Sequence, residues 1–533
     1  MSPSANARPA RPTATRSTPP RLPEGGSGNT TPTDATDQGG DTHQFLHHRH
    51  REHGLAGAVL NTLELFAQSL AATGPSIATA GMISFTFTVA GNGTALAFVI
   101  GTTIVFLVGI AVAQFARRAV SSGSLYSYAA EGLGRPVGFG VAWSLVLGYL
   151  FMAAATIAGA ALFGTSLLND LGVHASGRGW SVALILVATA IAGTLPLLGV
   201  RLSVRVAIAL EIASLLVILV VLGITLVHFG ARFDTAQFTA RGVSLNTVLS
   251  ASVLAVTTFV GFESAGSLGS EARSPFRTVP KAVLATVLGA GILYVVASYV
   301  LTIGFTTSQG LATDASPLNA IVREAGVSWL GGFLDAGVTV SALACASASL
   351  AAAARVLFSL GREHALPSRL GDAHPRWHTP HVALAVLTPI AGLVPAVYAL
   401  RSVDLFTIFG DVAAFSTYGY LVAYAVVAAA APVYLRRIGA AWVTTAVTST
   451  LAVLAIAFVI YKNVYPQPAY PLSVLPYVYL GALLLGLAWY GVLHLRAPER
   501  ARRLGGLTVH AEPRRIDLTV AAGAPVAEHV AAG

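Results

Sequence analysis

Four carboxylates stand where water should not reach them. Glu64, Glu211, Glu263 and Asp411 each fall inside an apolar stretch of this 533-residue chain. An ionised carboxylate at the centre of a bilayer costs at least ~2.5–3.5 kcal/mol on insertion scales, so such groups line cavities, pair with cations or carry protons. Two short stretches beside them break the helical pattern. ATGPSIA (72–78) places Gly74 and Pro75 in the middle of a long apolar run, and TTFVGFES (257–264) places Gly261 two residues before Glu263. Proline removes a backbone donor and clashes with the preceding turn. At membrane depth, broken backbone is tolerated only where it faces protein or a water-filled cavity. The pattern is that of a polar site built inside a membrane.

The elements that would position these groups follow from composition. The chain is 54% hydrophobic and only 10% charged, against roughly a quarter charged in a soluble protein. Apolar runs of about 20 residues, enough for a helix to cross the hydrocarbon core, recur at about 57–88, 95–116, 138–167, 180–199, 203–228, 246–270, 281–304, 331–358, 381–400, 404–431, 440–461 and 472–495. The ~10-residue alternating segments of a membrane barrel are missing. The expectation is an all-α polytopic membrane protein of about 12 transmembrane helices, with spans 1 and 6 discontinuous. Residues 1–54 and 496–533 are polar and read as disordered tails around a transmembrane domain at 55–495.

Charge fixes the orientation. With both termini cytoplasmic, the inner segments hold 26 of the 32 basic residues, a strong positive-inside bias. The net charge of +9 therefore reflects topology and calls for no nucleic-acid partner. Residues 1–54 hold no apolar segment of the signal-peptide kind. The longest inner connections, about 117–137 and 359–380, are too short for a soluble domain. The single cysteine, Cys345, excludes an intramolecular disulfide and any multi-cysteine metal site. No metal site or cofactor is expected in the spans, because all fourteen histidines fall in tails, loops or span ends. The tract HQFLHHRHREH (43–53) reads as a solvated juxtamembrane segment, with metal binding as its other reading.

Interrupted spans at corresponding places in two halves point to a transporter site. A half-helix starting near Pro75 and Ser76 offers free N–H groups and the positive end of its dipole to an anion. The half-helix ending near Thr257 to Phe259 offers carbonyls to a cation. The two poles together suit a zwitterion.

Span 6 and its exit, GFESAGSLGSEARSPFRTVPKAV (261–283), resemble the amino acid–polyamine–organocation permeases in Gly261, Phe262, Glu263, Glu271, Ser274, Pro275, Pro280, Lys281 and Ala282. GSLYSYAAEGLGRPVGFGVAW (123–143) is similar to that family's approach to span 3, and ARVLFSLGREHALPSRLGDAHPRWHTP (354–380) to its loop between spans 8 and 9. The resemblance implies a leucine-transporter-type fold: two inverted five-helix repeats, spans 1–5 and 6–10, plus two C-terminal helices, working by alternating access. It implies that Thr73, Gly74, Pro75, Ser76 and Ile77 meet a substrate carboxylate, and that Thr257, Thr258, Phe259, Val260 and Gly261 meet its amine. The Gly-Pro-Ser break and the small Thr257 depart from the family's usual glycine-rich break and large aromatic gate.

The acids then take roles. Glu263, just past the break, is a candidate for proton coupling or a structural acceptor for loose backbone. Glu211 in span 5 carries a proton or pairs with a cytoplasmic arginine such as Arg205. Glu64 reads as a snorkelled or gate-forming residue near the inner end of span 1, and Glu271 with its neighbour Arg273 as an inner gate or orientation pair. Asp411 faces the site or an outer vestibule. Tyr149 and Tyr418 are either pathway or packing residues. The expected function is a secondary transporter of amino acids in the cytoplasmic membrane, by proton symport or exchange. The alternatives are polyamines, other organic amines or nucleobases on the same fold, and, more distantly, an intramembrane enzyme.

Overall fold

Capping and helix-breaking residues set where each span starts and stops. Span 1 begins at Thr62, because Asn61 closes a capping box: its side chain accepts from Glu64 N at 2.9 Å while Glu64 Oε2 accepts from Asn61 N at 3.0 Å. The computed structural model describes residues 55, 58–230, 234–239, 242–308, 310–313, 316–465 and 470–511. The histidine tract at 43–53, the whole of the first tail (1–54) and residues 512–533 of the second lie outside these.

The first half of span 1, Thr62–Thr73, ends at Gly74, whose φ of 55° and ψ of 60° put it in the left-handed region. The second half, Pro75–Ala90, starts on a proline at its first position, where the missing N–H costs nothing. A Cβ at Gly74 would stand 2.9 Å from Ile77 Cγ2 and 3.3 Å from Cys345 Sγ. Span 6 breaks differently. Its outer half is the helix Leu245–Thr257, a run of turns follows, and its inner half is the 3₁₀ segment Ser264–Glu271. Gly261 makes the turn at φ +97°, and a Cβ there would lie 2.7 Å from the carbonyl oxygen of Ala72, so the two breaks touch each other.

The other spans are continuous: span 2 Thr94–Ala116, span 3 Arg135–Asp170, span 4 Arg178–Thr194, span 5 Val200–Phe229, span 7 Pro275–Thr307, span 8 Leu330–Arg362, span 9 His381–Leu400, span 10 Leu405–Arg437, span 11 Val443–Val464 and span 12 Leu475–Arg496. Among the described residues ten helical stretches are long and apolar enough to cross a membrane, the first of them holding spans 1 and 2; with the broken span 6 these give twelve passes, and a broken span opens each set of five. Span 3 packs against spans 8 and 10 at the centre. The apolar window of span 8 is 94% buried, while those of spans 11 and 12 are 28% and 17% buried, so the last two helices form an outer flank. Their exposed residues, such as Leu454, Leu484 and Leu485, suit hydrocarbon.

The described segments just before span 1 and after span 12 lie on one face, called the inner face here. The strand β1 (Ala119–Val120) in the loop after span 2 pairs antiparallel with β2 (Val509–His510). Residues 497–511 are therefore packed, where composition alone led to the expectation of a disordered tail from 496. Leu504 and Ala501 are buried, and Arg135 Nε donates to Leu504 O at 3.3 Å. A two-strand pairing and two small apolar contacts leave no compositional trace in so polar a stretch.

Candidate functional site

A cavity of about 330 Å³ lies between spans 1, 3, 6, 8 and 10 and extends to the outer ends of spans 10 and 11. Its floor holds Thr73 and Ile77 from the first break, Thr257, Thr258 and Val260 from the second, Thr156 of span 3 and Cys345 of span 8. Its upper wall holds Met82, Phe85, Phe406, Phe409 and Asp411, with Asn463 and Leu472 near the mouth. Phe85 and Phe406 stack with centroids 4.8 Å apart across that mouth. Asp411 is the one charged side chain among the lining residues.

Five of the ten residues expected to touch substrate therefore line the cavity, and Gly74, Pro75, Ser76, Phe259 and Gly261 do not. Each of the five is held by something else. Gly74 makes the left-handed turn, with its N–H bonded to Leu70 O and Ala71 O. The carbonyl of Pro75 accepts from Thr79 Oγ1 at 2.7 Å. Phe259 packs edge-on against Tyr294, centroids 5.1 Å apart. Gly261 N donates to Tyr424 Oη at 3.3 Å. Ser76 gives both its N–H (3.1 Å) and its hydroxyl (2.9 Å) to Glu211 Oε1. Glu211 thus bonds to the half-helix start in span 1, while Arg205, its expected partner, lies 2.9 Å from Glu64 instead.

Glu263 is fully buried behind the second break. Tyr149 of span 3 donates to its Oε1 at 2.6 Å, and Tyr424 of span 10 donates to Oε2. Tyr424 also accepts from Gly261 N, so the carboxylate is wired to the turn itself. Tyr149 was legible as a pathway or packing residue; Tyr424 carries no signal beyond being an aromatic residue in a span. Tyr418 packs on Tyr479 away from Glu263, centroids 5.8 Å apart.

Three ion pairs lie toward the inner side. Glu64 binds Arg201 Nε at 3.3 Å and Arg205 Nε at 2.9 Å, joining the start of span 1 to span 5. Glu271 binds Arg355 of span 8. Arg273, expected beside Glu271 in the gate, instead exposes its side chain and uses its N–H on Leu60 O at 2.9 Å. Sequence adjacency misled here: Glu271 ends the 3₁₀ segment facing inward, and two residues later the chain has turned out. Arg355, deep in the most buried span, counts by sequence only among the inner basic residues; a lone arginine in an apolar span is the signal that could have found it. Among the described residues no group of three or more His, Cys, Asp or Glu side chains could hold a metal ion.

Comparisons with known proteins agree with this architecture. The family model described as amino acid permease matches residues 65–499. The branched-chain amino acid permease BcaP of Bacillus subtilis is 27% identical over 343 residues, 61% of this chain and 72% of that protein. The low-affinity putrescine importer PlaP of Escherichia coli is 28% identical over 301 residues, 55% of this chain and 65% of its own length. A crystal structure of an Eremococcus coleocola manganese transporter aligns with a TM-score of 0.54 at 14% identity, covering 84% of this chain and 98% of that one.

Proposed function

Because the chain belongs to the amino acid permease family, we propose that it carries amino acids across the cytoplasmic membrane by proton-coupled symport or exchange, through alternating access. Membership makes it a membrane transporter of amino acids or amines rather than an enzyme. The finer reading rests on one observation. A central cavity touches both helix breaks and extends to the outer ends of spans 10 and 11, while the Glu271–Arg355 and Glu64–Arg201/Arg205 pairs lie toward the inner side, outside its lining. That arrangement supports a reading as one of the two end states that alternating access requires.

In this reading the inner face is cytoplasmic, in keeping with its excess of Arg and Lys. The substrate's apolar part packs on Ile77, Met82, Met152 and Phe409, and its amine lies near the carbonyl ends at Thr257 and Thr258. Glu263 and Glu211 are the coupling carboxylates, since both are buried with no cation paired to them among the described residues. Glu64 and Glu271 form the inner gate. A second reading, an organic amine without a carboxylate, is favoured by Asp411 as the cavity's single charge and by the likeness to a putrescine importer.

Uptake into liposomes containing the purified protein tests this, with labelled amino acids and amines and imposed proton or sodium gradients. Accumulation of an amino acid that follows an inward proton gradient supports the first reading. Accumulation of amines alone supports the second. Absence of uptake and of exchange for every compound defeats both.

A further inference from the structure

The half-helix that starts at Pro75 already holds an anion. Glu211 reaches from span 5 and takes both donors of Ser76 on a single oxygen, Oε1. Its other oxygen, Oε2, is buried. The hydroxyl of Ser341 in span 8 acts on the same carboxyl group, and Ser214 lies one turn along span 5. The spans close tightly here, since a Cβ at Gly337, one turn before Ser341, would lie 3.1 Å from Ser214 Oγ. The other titratable groups facing Glu211 are Tyr294 of span 7 and Cys345 of span 8, and no cationic side chain acts on it among the described residues.

A carboxylate buried with no cation beside it is costly, because its charge has lost water without gaining a counter-charge. A single proton on Oε2 removes that charge, and Oε1 becomes a neutral, weaker acceptor for Ser76. Ser76 itself is fully buried, while its neighbours Thr73 and Ile77 line the cavity, so the occupied helix end sits one residue from the substrate space.

We propose that Glu211 is a built-in stand-in for the substrate's carboxylate, which yields the Ser76 N–H to that carboxylate when it takes a proton on Oε2. No covalent bond other than that O–H forms or breaks. The proton comes from the outer aqueous phase through the cavity, and the net charge at the helix end stays at one negative group throughout. The inference deepens the proton-coupled reading above and rests on it, since it requires a substrate that bears a carboxylate. It also makes the step at this helix terminus an exchange of anions, with one proton taken up by Glu211 for each substrate carboxylate bound there.

The test compares wild type with Glu211→Gln, which mimics the neutral acid, using labelled L-leucine and other amino acids, with putrescine as the carboxylate-free probe. Wild-type affinity for the amino acid that binds should rise about tenfold per unit fall in pH through the linked range. Glu211→Gln should bind it with no pH dependence and fail to accumulate it under a proton gradient, and putrescine should show no such dependence in either protein. A Glu211→Gln protein that keeps the pH dependence overturns the inference. Infrared difference spectra taken between acid and alkaline pH give a readout free of substrate. Loss of a protonated-carboxyl band in Glu211→Gln supports the inference, and an unchanged spectrum overturns it even if no probe binds, whereas failure of every probe on wild type defeats the transport reading separately. Should Glu211→Gln fold poorly, Ser341→Ala in the wild-type background should move the midpoint of the pH response to more alkaline pH, since it removes a donor to the ionised carboxylate; a midpoint that stays in place contradicts Glu211 as the titrating group.

Discussion

Arg355 and Glu271 meet in a two-point ion pair, Nε to Oε1 at 2.7 Å and Nη2 to Oε2 at 3.3 Å, with both side chains buried. The planar guanidinium matches the carboxylate edge to edge, which a lysine cannot do. The pair joins span 8 to the inner end of span 6. Removing one partner of a buried pair costs about 3–5 kcal/mol, because the other charge is stranded. Glu271→Gln should therefore lower the melting temperature in detergent and favour an inner-open form. In a Cys345→Ala background, a thiol introduced by Ser270→Cys should be labelled faster when Glu271→Gln is added. Equal labelling rates would remove this pair from the gate.

Glu263 accepts from two phenols at once, Tyr149 and Tyr424. A glutamine keeps the shape but presents an NH₂ group where one phenol needs an acceptor, and it cannot exchange a proton. Glu263→Gln should abolish accumulation driven by a proton gradient while some exchange persists. Accumulation equal to wild type would show that this carboxylate does not couple.

Gly74 holds a left-handed turn at φ +55° with its missing side chain facing Ile77 and Cys345. Any L-residue there strains the backbone by about 1–3 kcal/mol, and leucine adds bulk in the cavity floor. Gly74→Leu should lose substrate binding in a scintillation proximity assay while the purified protein still elutes as a single folded species. Normal affinity would take span 1 out of the site.

Cys345 is the chain's single cysteine, lines the cavity and donates from Sγ to Ala72 O at 3.1 Å, beside the first break. A small methanethiosulfonate reagent added from outside should block uptake, and bound substrate should slow the block. Cys345→Ala should transport and resist the reagent. Inhibition that survives Cys345→Ala would mean the reagent acts elsewhere.

The packed stretch before residue 512 should respond to pH. Burial pushes the Glu363 carboxyl from its ordinary 4.5 up to about 7, against hydrogen bonds from Tyr126 and the backbone of 505–507. His510 is raised above 6.5 by the Glu131 carboxylate 3.3 Å away. Both groups hold their protons more tightly when the strand is docked. Docking is therefore strongest below about pH 4.5, weakens as pH rises towards 7, and loses the His510 contribution above that. Hydrogen exchange at 505–511, corrected for its intrinsic pH dependence, should show protection falling from pH 5.5 to 8. Glu363→Gln should flatten the lower part of that fall; protection independent of pH would refute the assignment.

The breaks were legible because glycine and proline act locally: Gly74–Pro75 and Gly261 interrupt helices wherever the chain goes. The spans were legible because twenty apolar residues have few other uses. The partners were not. Glu271 and Arg355 lie 84 residues apart, and Glu211 and Ser76 lie 135 apart. Which arginine or hydroxyl meets an acid depends on helix rotation and crossing, and apolar spans buried on several sides carry little periodicity to fix rotation. The outer wall of the cavity was hidden for a related reason. Phe85, Phe406 and Phe409 are indistinguishable by type from the many phenylalanines that only pack.

The inner halves of spans 1 and 6 are laced together along their length. Val59 and Leu60 N–H groups bond to Glu271 O, Arg273 N to Leu60 O, Ala265 N to Ser69 Oγ, and Ser264 Oγ to Gln68 O. Neither half can swing alone without tearing several of these bonds in a place where water is scarce. The pair is one lever with two fulcrums, at Gly74 and Gly261, and whatever tips it on one side of the membrane moves both floors of the cavity in the same stroke.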